Sequence, residues 1–232
     1  MVQHGTVGRT LRRAVGTRAR RALLVVTIGV GAVAAALTAG LPSDERTVAT
    51  VAELVHGVIS VLLPFVGVLL AHGLRQAPGA RVLPTLAAAA SIAVAVGLAG
   101  DALSFAALAV AGSTAPDPWA HVGAIVVAGV LVQVLAQLVG TGLGLLIGRP
   151  VWACLATIVL PLGAYALLTP VAAARDWLTP YAALRAVLAE SPGDAGWARW
   201  ATVALLWGVA LNGVGAVLRR HRASHGRATT VA

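Results

Sequence analysis

The chain has 232 residues, 59% of them hydrophobic and 11% charged, and its mean hydropathy is +0.88. A soluble domain carries roughly 25% charge to keep its surface wetted, so water is not the only solvent for this chain and a bilayer is the natural second one. All 17 basic residues are arginine, the net charge is +9, and the single cysteine, Cys154, excludes an intrachain disulfide framework.

In chain order, residues 1–21 are polar and basic, with Arg9, Arg12, Arg13, Arg18, Arg20 and Arg21. An uncharged apolar run follows over 22–41, long enough to span, and 42–46 is a short polar turn. The second run covers 54–71, preceded by Glu53 and containing His56 and Pro64. Residues 73–82 read as a loop. The third run, 83–112, exceeds what a straight span needs and is interrupted by Asp101, so a tilt, or a break near Gly97 to Gly100, is expected. A turn over 113–118 leads to the fourth run, 119–148, which Arg149-Pro150 ends; the fifth is 151–169. A mixed segment, 170–199, precedes the sixth run, 200–218, and a basic tail over 219–232. The expected architecture is all-α, a six-helix transmembrane domain over 22–218 between two basic segments.

Short loops rich in arginine stay on the cytoplasmic side. With the N-terminus inside, only Arg46, Arg175, Arg185 and Arg199 of the 17 arginines fall on the outer side. All 8 acids (Asp44, Glu45, Glu53, Asp101, Asp117, Asp176, Glu190 and Asp194) fall outside or in the outer part of a span. One sign of charge on each side is hard to obtain from a wrong span count. Most of the arginines flank apolar runs, so orientation explains the basic charge better than nucleic acid does. Trp119, Trp177, Trp197 and Trp200 near the outer boundary, and Trp152 near the inner one, fit an aromatic belt. A cleavable signal peptide ending at Ala34-Ala35-Ala36 is the rival reading of the first run, but that run is longer than an ordinary signal core. The expectation is an uncleaved first helix, both termini cytoplasmic, in a plasma membrane. The arginine-only, Ala- and Val-rich composition hints at a high-GC bacterial genome.

No catalytic constellation stands out, so the chain is not expected to be an enzyme. Without lysine a phosphate-cradling P-loop is excluded, and no HExxH, CxxC or GxSxG motif is present. The 6 histidines lack metal-ligand spacing. Glu53 and His56 share a helix face at the outer start of the second span; ionisable groups at membrane depth are functional candidates, though hydration at the headgroups accounts for both. Asp101 is expected to cap a broken third helix from outside rather than face a cavity. Gln133 and Gln137, four apart inside the fourth run, are either interhelical ties or path-lining groups. Gly140, Gly144 and Gly148 form a small-residue stripe for close helix packing. Asn212 is a polar point among Gly208, Gly213 and Gly215. In 170–199, Trp177, Leu178, Tyr181, Leu184, Val187 and Leu188 recur at helical spacing, which predicts one or two short amphipathic helices lying in the outer interface or dipping back into it, broken at Thr179-Pro180.

The glycine-rich end of the fourth run (Gly140-Thr141-Gly142-Leu143-Gly144), the turn at Arg149-Pro150, the fifth run with Pro161, the outer segment with Leu178-Thr179-Pro180-Tyr181, the Trp-led sixth run ending in Asn212-Gly213-Val214-Gly215 and the arginine-rich tail together resemble the membrane (permease) subunit of ABC-type exporters of the type-2 export class. The resemblance implies that two permease subunits, identical or different, pair around an export path in the bilayer, and that a separate P-loop ATPase subunit binds the ATP. No cofactor is expected in this chain, and nucleic acid is not an expected partner. It further implies a connecting helix along the inner face over 7–21 and a re-entrant outer segment before the last helix. The coupling loop to the ATPase would be Gly73, Leu74, Arg75, Gln76, Ala77, Pro78, Gly79, Ala80, Arg81 and Val82. Two other readings stay open: an ion-coupled secondary transporter using Glu53, His56 or Asp101 as a titrating relay, and a non-transport assembly or immunity protein.

Overall fold

A computed structural model describes residues 16–76, 81–188 and 193–228, with side chains described as far as His221. Helix α1 is Arg18–Leu37, closed by a tight 3₁₀ turn at Thr38–Gly40; α2 is Val48–Gln76, α3 Val82–Ala111, α4 Val122–Leu146 and α5 Pro150–Leu167. Two short helices follow, α6 (Ala172–Leu178) and α7 (Pro180–Leu188). The last long rod is α8 (Gly193–Val203), a π-helical stretch Ala204–Ala210 and α9 (Leu211–Ala228). No strand occurs among the described residues.

Six of these helical units are long and apolar enough to cross a membrane: α1 with its turn, α2, α3, α4, α5 and the α8–α9 rod. Each keeps its backbone groups bonded within the segment, the condition that a hydrocarbon solvent imposes. Outward faces stay apolar, with Val25, Val33, Val151, Trp152, Leu155, Leu205 and Val209 exposed. Such a belt would aggregate in water; in a bilayer it is wetted by lipid tails. The chain is therefore a multi-pass membrane protein.

The core is built on α2 and α4, whose mutual contact is the most extensive in the molecule. Glycine makes the closeness possible. A Cβ on Gly140 would strike the Pro64 backbone, and one on Gly144 would lie 2.8 Å from Ala71 Cβ and 2.9 Å from Val68 Cα. From the other side, a Cβ on Gly67 would lie 2.7 Å from the Gln137 carbonyl. Gly148 lies beyond the end of α4 and meets only the Arg75 guanidinium, so two glycines of the stripe form the seam, not three. Helices α1 and α3 also pack on α2, around Val55, Ile59, Leu63, Ile92 and Val96. Helix α5 stays peripheral, with only Ala153 and Thr157 buried.

The long third helix is continuous. Asp101 does not cap a break: it lies inside α3 and is buried. Gly97, where a kink was expected, instead lets α3 touch α4, since a Cβ there would lie 2.8 Å from Val130 Cα. Near the acid-rich end, Arg46 donates to the carbonyls of Ala111 (2.7 Å) and Gly112 (3.1 Å), where cationic donors suit a helix C-terminus. At the arginine-rich end, Arg20 donates to Leu69 O at 2.7 Å and Arg219 to Leu74 O at 3.3 Å, tying α1 and α9 to the last turns of α2.

Of the segment expected as a loop over 73–82, Gly73 to Gln76 and Val82 are helical. α2 runs through Gln76 and α3 begins at Val82, with Arg81 as its N-cap; Ala77, Pro78, Gly79 and Ala80 lie outside the described residues. Most of the expected connecting helix over 7–21 lies outside them too, and Arg18 to Arg21 already form the first turn of α1.

Between α5 and the last rod, α6 and α7 fold back onto the bundle. Val187 and Leu188 are fully buried against Ala128 and Val132 of α4, with Trp197 and Trp200 closing over them. Thr179 separates the two helices, its hydroxyl donating to Arg175 O at 2.8 Å. Trp207 Nε1 donates to Leu178 O at 2.9 Å, and Glu53 meets Arg185 at 3.2 Å. The last contact is half-exposed on both sides, so it contributes at most about 1 kcal/mol; burial of Val187 and Leu188 holds the fold-back.

Candidate functional site

Three of the polar residues singled out from the sequence bear on one buried point. His56 on α2 and Gln133 on α4 are 0% exposed, and Asp101 on α3 is 3% exposed. His56 Nε2 lies 2.9 Å from Asp101 Oδ1, while Gln133 Nε2 lies 3.2 Å from His56 Nδ1 and 3.1 Å from the His56 carbonyl. The network thus joins three spanning helices. At 1.5 Å per residue, His56 is about 12 Å along α2 from Val48, Asp101 about 15 Å from the Ala111 end of α3, and Gln133 about 16 Å from Val122. These depths put the network well inside the hydrocarbon core, about 30 Å thick.

Glycine again makes room. A Cβ on Gly129 would sit 2.5 Å from His56 Nε2 and 2.7 Å from Asp101 Oδ1, and one on Gly100 would sit 2.8 Å from His56 Cε1. The network is incompletely satisfied: Asp101 Oδ2 and Gln133 Oε1 are buried with no hydrogen-bond partner. Each such orphan costs about 1–3 kcal/mol, and a charged one more.

The other candidates separate from this group. Glu53 is not its partner, because it points to the half-exposed rim and pairs with Arg185. Glu53 is thus partly exposed, whereas His56 is fully buried. Gln137, one turn beyond Gln133, is fully buried with neither amide atom bonded, so it ties nothing within the chain. Asn212 does tie helices: its Nδ2 donates to Leu138 O and Gly208 O, both at 2.7 Å, and its Oδ1 lies 2.9 Å from Thr141 Oγ1. Gly208 belongs to the π-helical stretch, so the Asn212 amide braces the widened turn against α4. Among the described residues no group of three or more His, Cys, Asp or Glu side chains could hold a metal.

Beside the polar network, across the α2–α4 seam, lies an apolar cleft of about 190 Å³. Ser60 and Pro64 of α2, Leu135 and Val139 of α4, Thr157 and Pro161 of α5, and Pro180 and Tyr181 of α7 face it. Leu135 is 13 residues from the start of α4, about 20 Å along the helix. Helix α7 packs along α4, with Pro180 and Tyr181 at this cleft and Leu188 against Ala128. Sequence spacing gave no sign of this cleft, because its walls come from four separate helices and carry ordinary apolar residues.

Compared with family models, curated proteins and solved structures, the chain matches none. What is established of its class rests on the fold: a six-span, multi-pass membrane protein with a buried polar network and a neighbouring apolar cleft.

Proposed function

We propose that the chain is the transmembrane permease subunit of an ATP-driven exporter of the ABC type, forming half of an export path and coupled to a separate ATPase. The observation that carries this reading is the packing of α6 and α7 onto the bundle between the fifth and sixth spans, with Pro180 and Tyr181 lining a cleft beside α4. A re-entrant element there lines a cleft from the outer side and would open it outward when the spans shift. The resemblance named from the sequence has its re-entrant segment at this same place. Energy must come from elsewhere, because the 17 basic residues are all arginine and a P-loop needs lysine. The inner termini of α2 and α3, around Arg75 and Arg81, are short, rigid contacts for a partner that converts hydrolysis into helix movement.

On this reading two permease copies, identical or different, meet along exposed apolar faces such as that of α5, both termini face the cytoplasm of a bacterial cell, and ATP stays on the partner. The test is co-purification from native membranes. The chain should bring down a P-loop ATPase, and scrambling residues 75–81 should abolish that association while leaving the six spans inserted. A scrambled chain that still binds the ATPase and supports its hydrolysis would remove those residues from the coupling role. The ion-coupled carrier reading has one observation in its favour, the His56–Asp101 pair at membrane depth. It predicts transport by the chain alone, driven by an ion gradient and indifferent to ATP.

A further inference from the structure

The His56, Asp101 and Gln133 network has a donor order that the geometry dictates. Gln133 Nε2 lies 3.1 Å from the His56 main-chain oxygen, an atom that only accepts, so this end of the amide is the NH₂ group. The same nitrogen lies 3.2 Å from His56 Nδ1, which must therefore accept and carry no proton. The ring proton then sits on Nε2 and is donated to Asp101 Oδ1 at 2.9 Å. Both side-chain partners are satisfied only when His56 is neutral in this one tautomer.

We propose that His56, Asp101 and Gln133 form a single-proton site inside the bundle, and that uptake of one proton by His56 breaks the bond from Gln133 Nε2 to the ring and forces that amide to turn over or leave. The lone pair of His56 Nδ1 takes a proton from hydronium, which leaves as water, and no bond between heavy atoms forms or breaks. The imidazolium charge is met by the Asp101 carboxylate. Gln133 Nε2–H then faces Nδ1–H, donor against donor, so the amide must leave or turn over. Turned over, Oε1 accepts from Nδ1–H, but the bond to the His56 carbonyl is lost. Gln133 Oε1 and Asp101 Oδ2, both buried and without partners, are the acceptors in reserve for the protonated form. The ring cannot swing aside, because Gly100 and Gly129 are packed against it.

Few other charges face the pair. Helix α1 has ionisable groups only at its start (Arg18, Arg20 and Arg21), α3 has only Asp101, and α4 has none. On α2 itself, Glu53 lies toward the acid-rich end against Arg185 of α7, while His72 and Arg75 lie at the far end. The site is thus a pair of ionisable side chains clamped by one amide. This inference rests on neither transport reading, since it needs no ATPase and no cargo.

The test is solid-state NMR of the full chain in lipid nanodiscs, with ¹⁵N-labelled histidine and glutamine side chains, over about pH 8 to about pH 5, the range in which histidine charge changes. His56 is assigned by the signal lost in His56→Asn. At the upper end it should be neutral with the proton on Nε2. On acidification it should become imidazolium, and the Gln133 amide signal should move with the same midpoint. Gln133→Met should keep the first change and remove the second, and Asp101→Asn should abolish proton uptake over this range. The proposal is overturned by an Nδ1–H tautomer at the upper pH, by a His56 that stays neutral throughout while the fold is intact, or by imidazolium formation with Gln133 unmoved. Should Asp101→Asn fail to fold, the wild-type tautomer and the linked Gln133 shift still decide.

Discussion

A single buried imidazole decides much of the chemistry inside this bundle. Removing its partner from a buried pair costs about 3–5 kcal/mol, whereas replacing both members with apolar residues is often neutral or stabilising. His56→Ala should therefore lower thermal stability in detergent sharply, by leaving Asp101 buried without its donor. The double variant His56→Leu with Asp101→Leu should recover most of that loss; a double variant less stable than the single one would contradict the pairing. Gln137 offers the opposite case. Both its amide atoms are buried and unbonded, so Gln137→Leu should stabilise the protein by about 1–3 kcal/mol, read as a raised unfolding temperature. The sequence marked His56, Gln133 and Gln137 as polar points at membrane depth, but it paired His56 with Glu53. Spacing along one helix detects neighbours on that helix alone. The true partner lies 45 positions away, on a helix that only packing brings near.

Among the helices, the seam between α2 and α4 was legible in part. The four-residue glycine repeat announced a close approach, and Gly140 and Gly144 make it. Which helix fills the groove was not legible, since Pro64, Val68 and Ala71 carry no mark of a partner. Gly140→Ala should destabilise the bundle because its Cβ meets backbone at Pro64. Gly163→Ala meets nothing within 4 Å and should be neutral or gain up to about 1 kcal/mol from helix propensity. Equal unfolding temperatures for the two variants would refute the seam. The short helices α6 and α7 were foreseen from their apolar spacing and the Thr179-Pro180 break. Which helix they pack on was not, because local pattern does not show that Val187 and Leu188 bury against α4. The span ends were the least legible. α2 extends through Gln76, since Gly73 to Gln76 continue as a final turn, with Arg219 donating to Leu74 O, where a loop was expected.

The whole molecule follows from solvent choice: apolar faces outward, polar groups inward, most arginines at one end and the acids at the other. This is why composition alone announced the class, while the polar interior needed three-dimensional contact to be read. Orientation can be checked in a Cys154→Ala background. A cysteine placed at Ser43 should react with an impermeant thiol reagent from outside intact cells, and one at Arg149 only after the membrane is opened; the reverse pattern would invert the topology. The export reading is tested most directly by native mass spectrometry of the complex extracted from its own membrane in lipid. The account predicts two permease subunits with two P-loop ATPase subunits. This chain found alone, or only with copies of itself, while still moving a solute would contradict it.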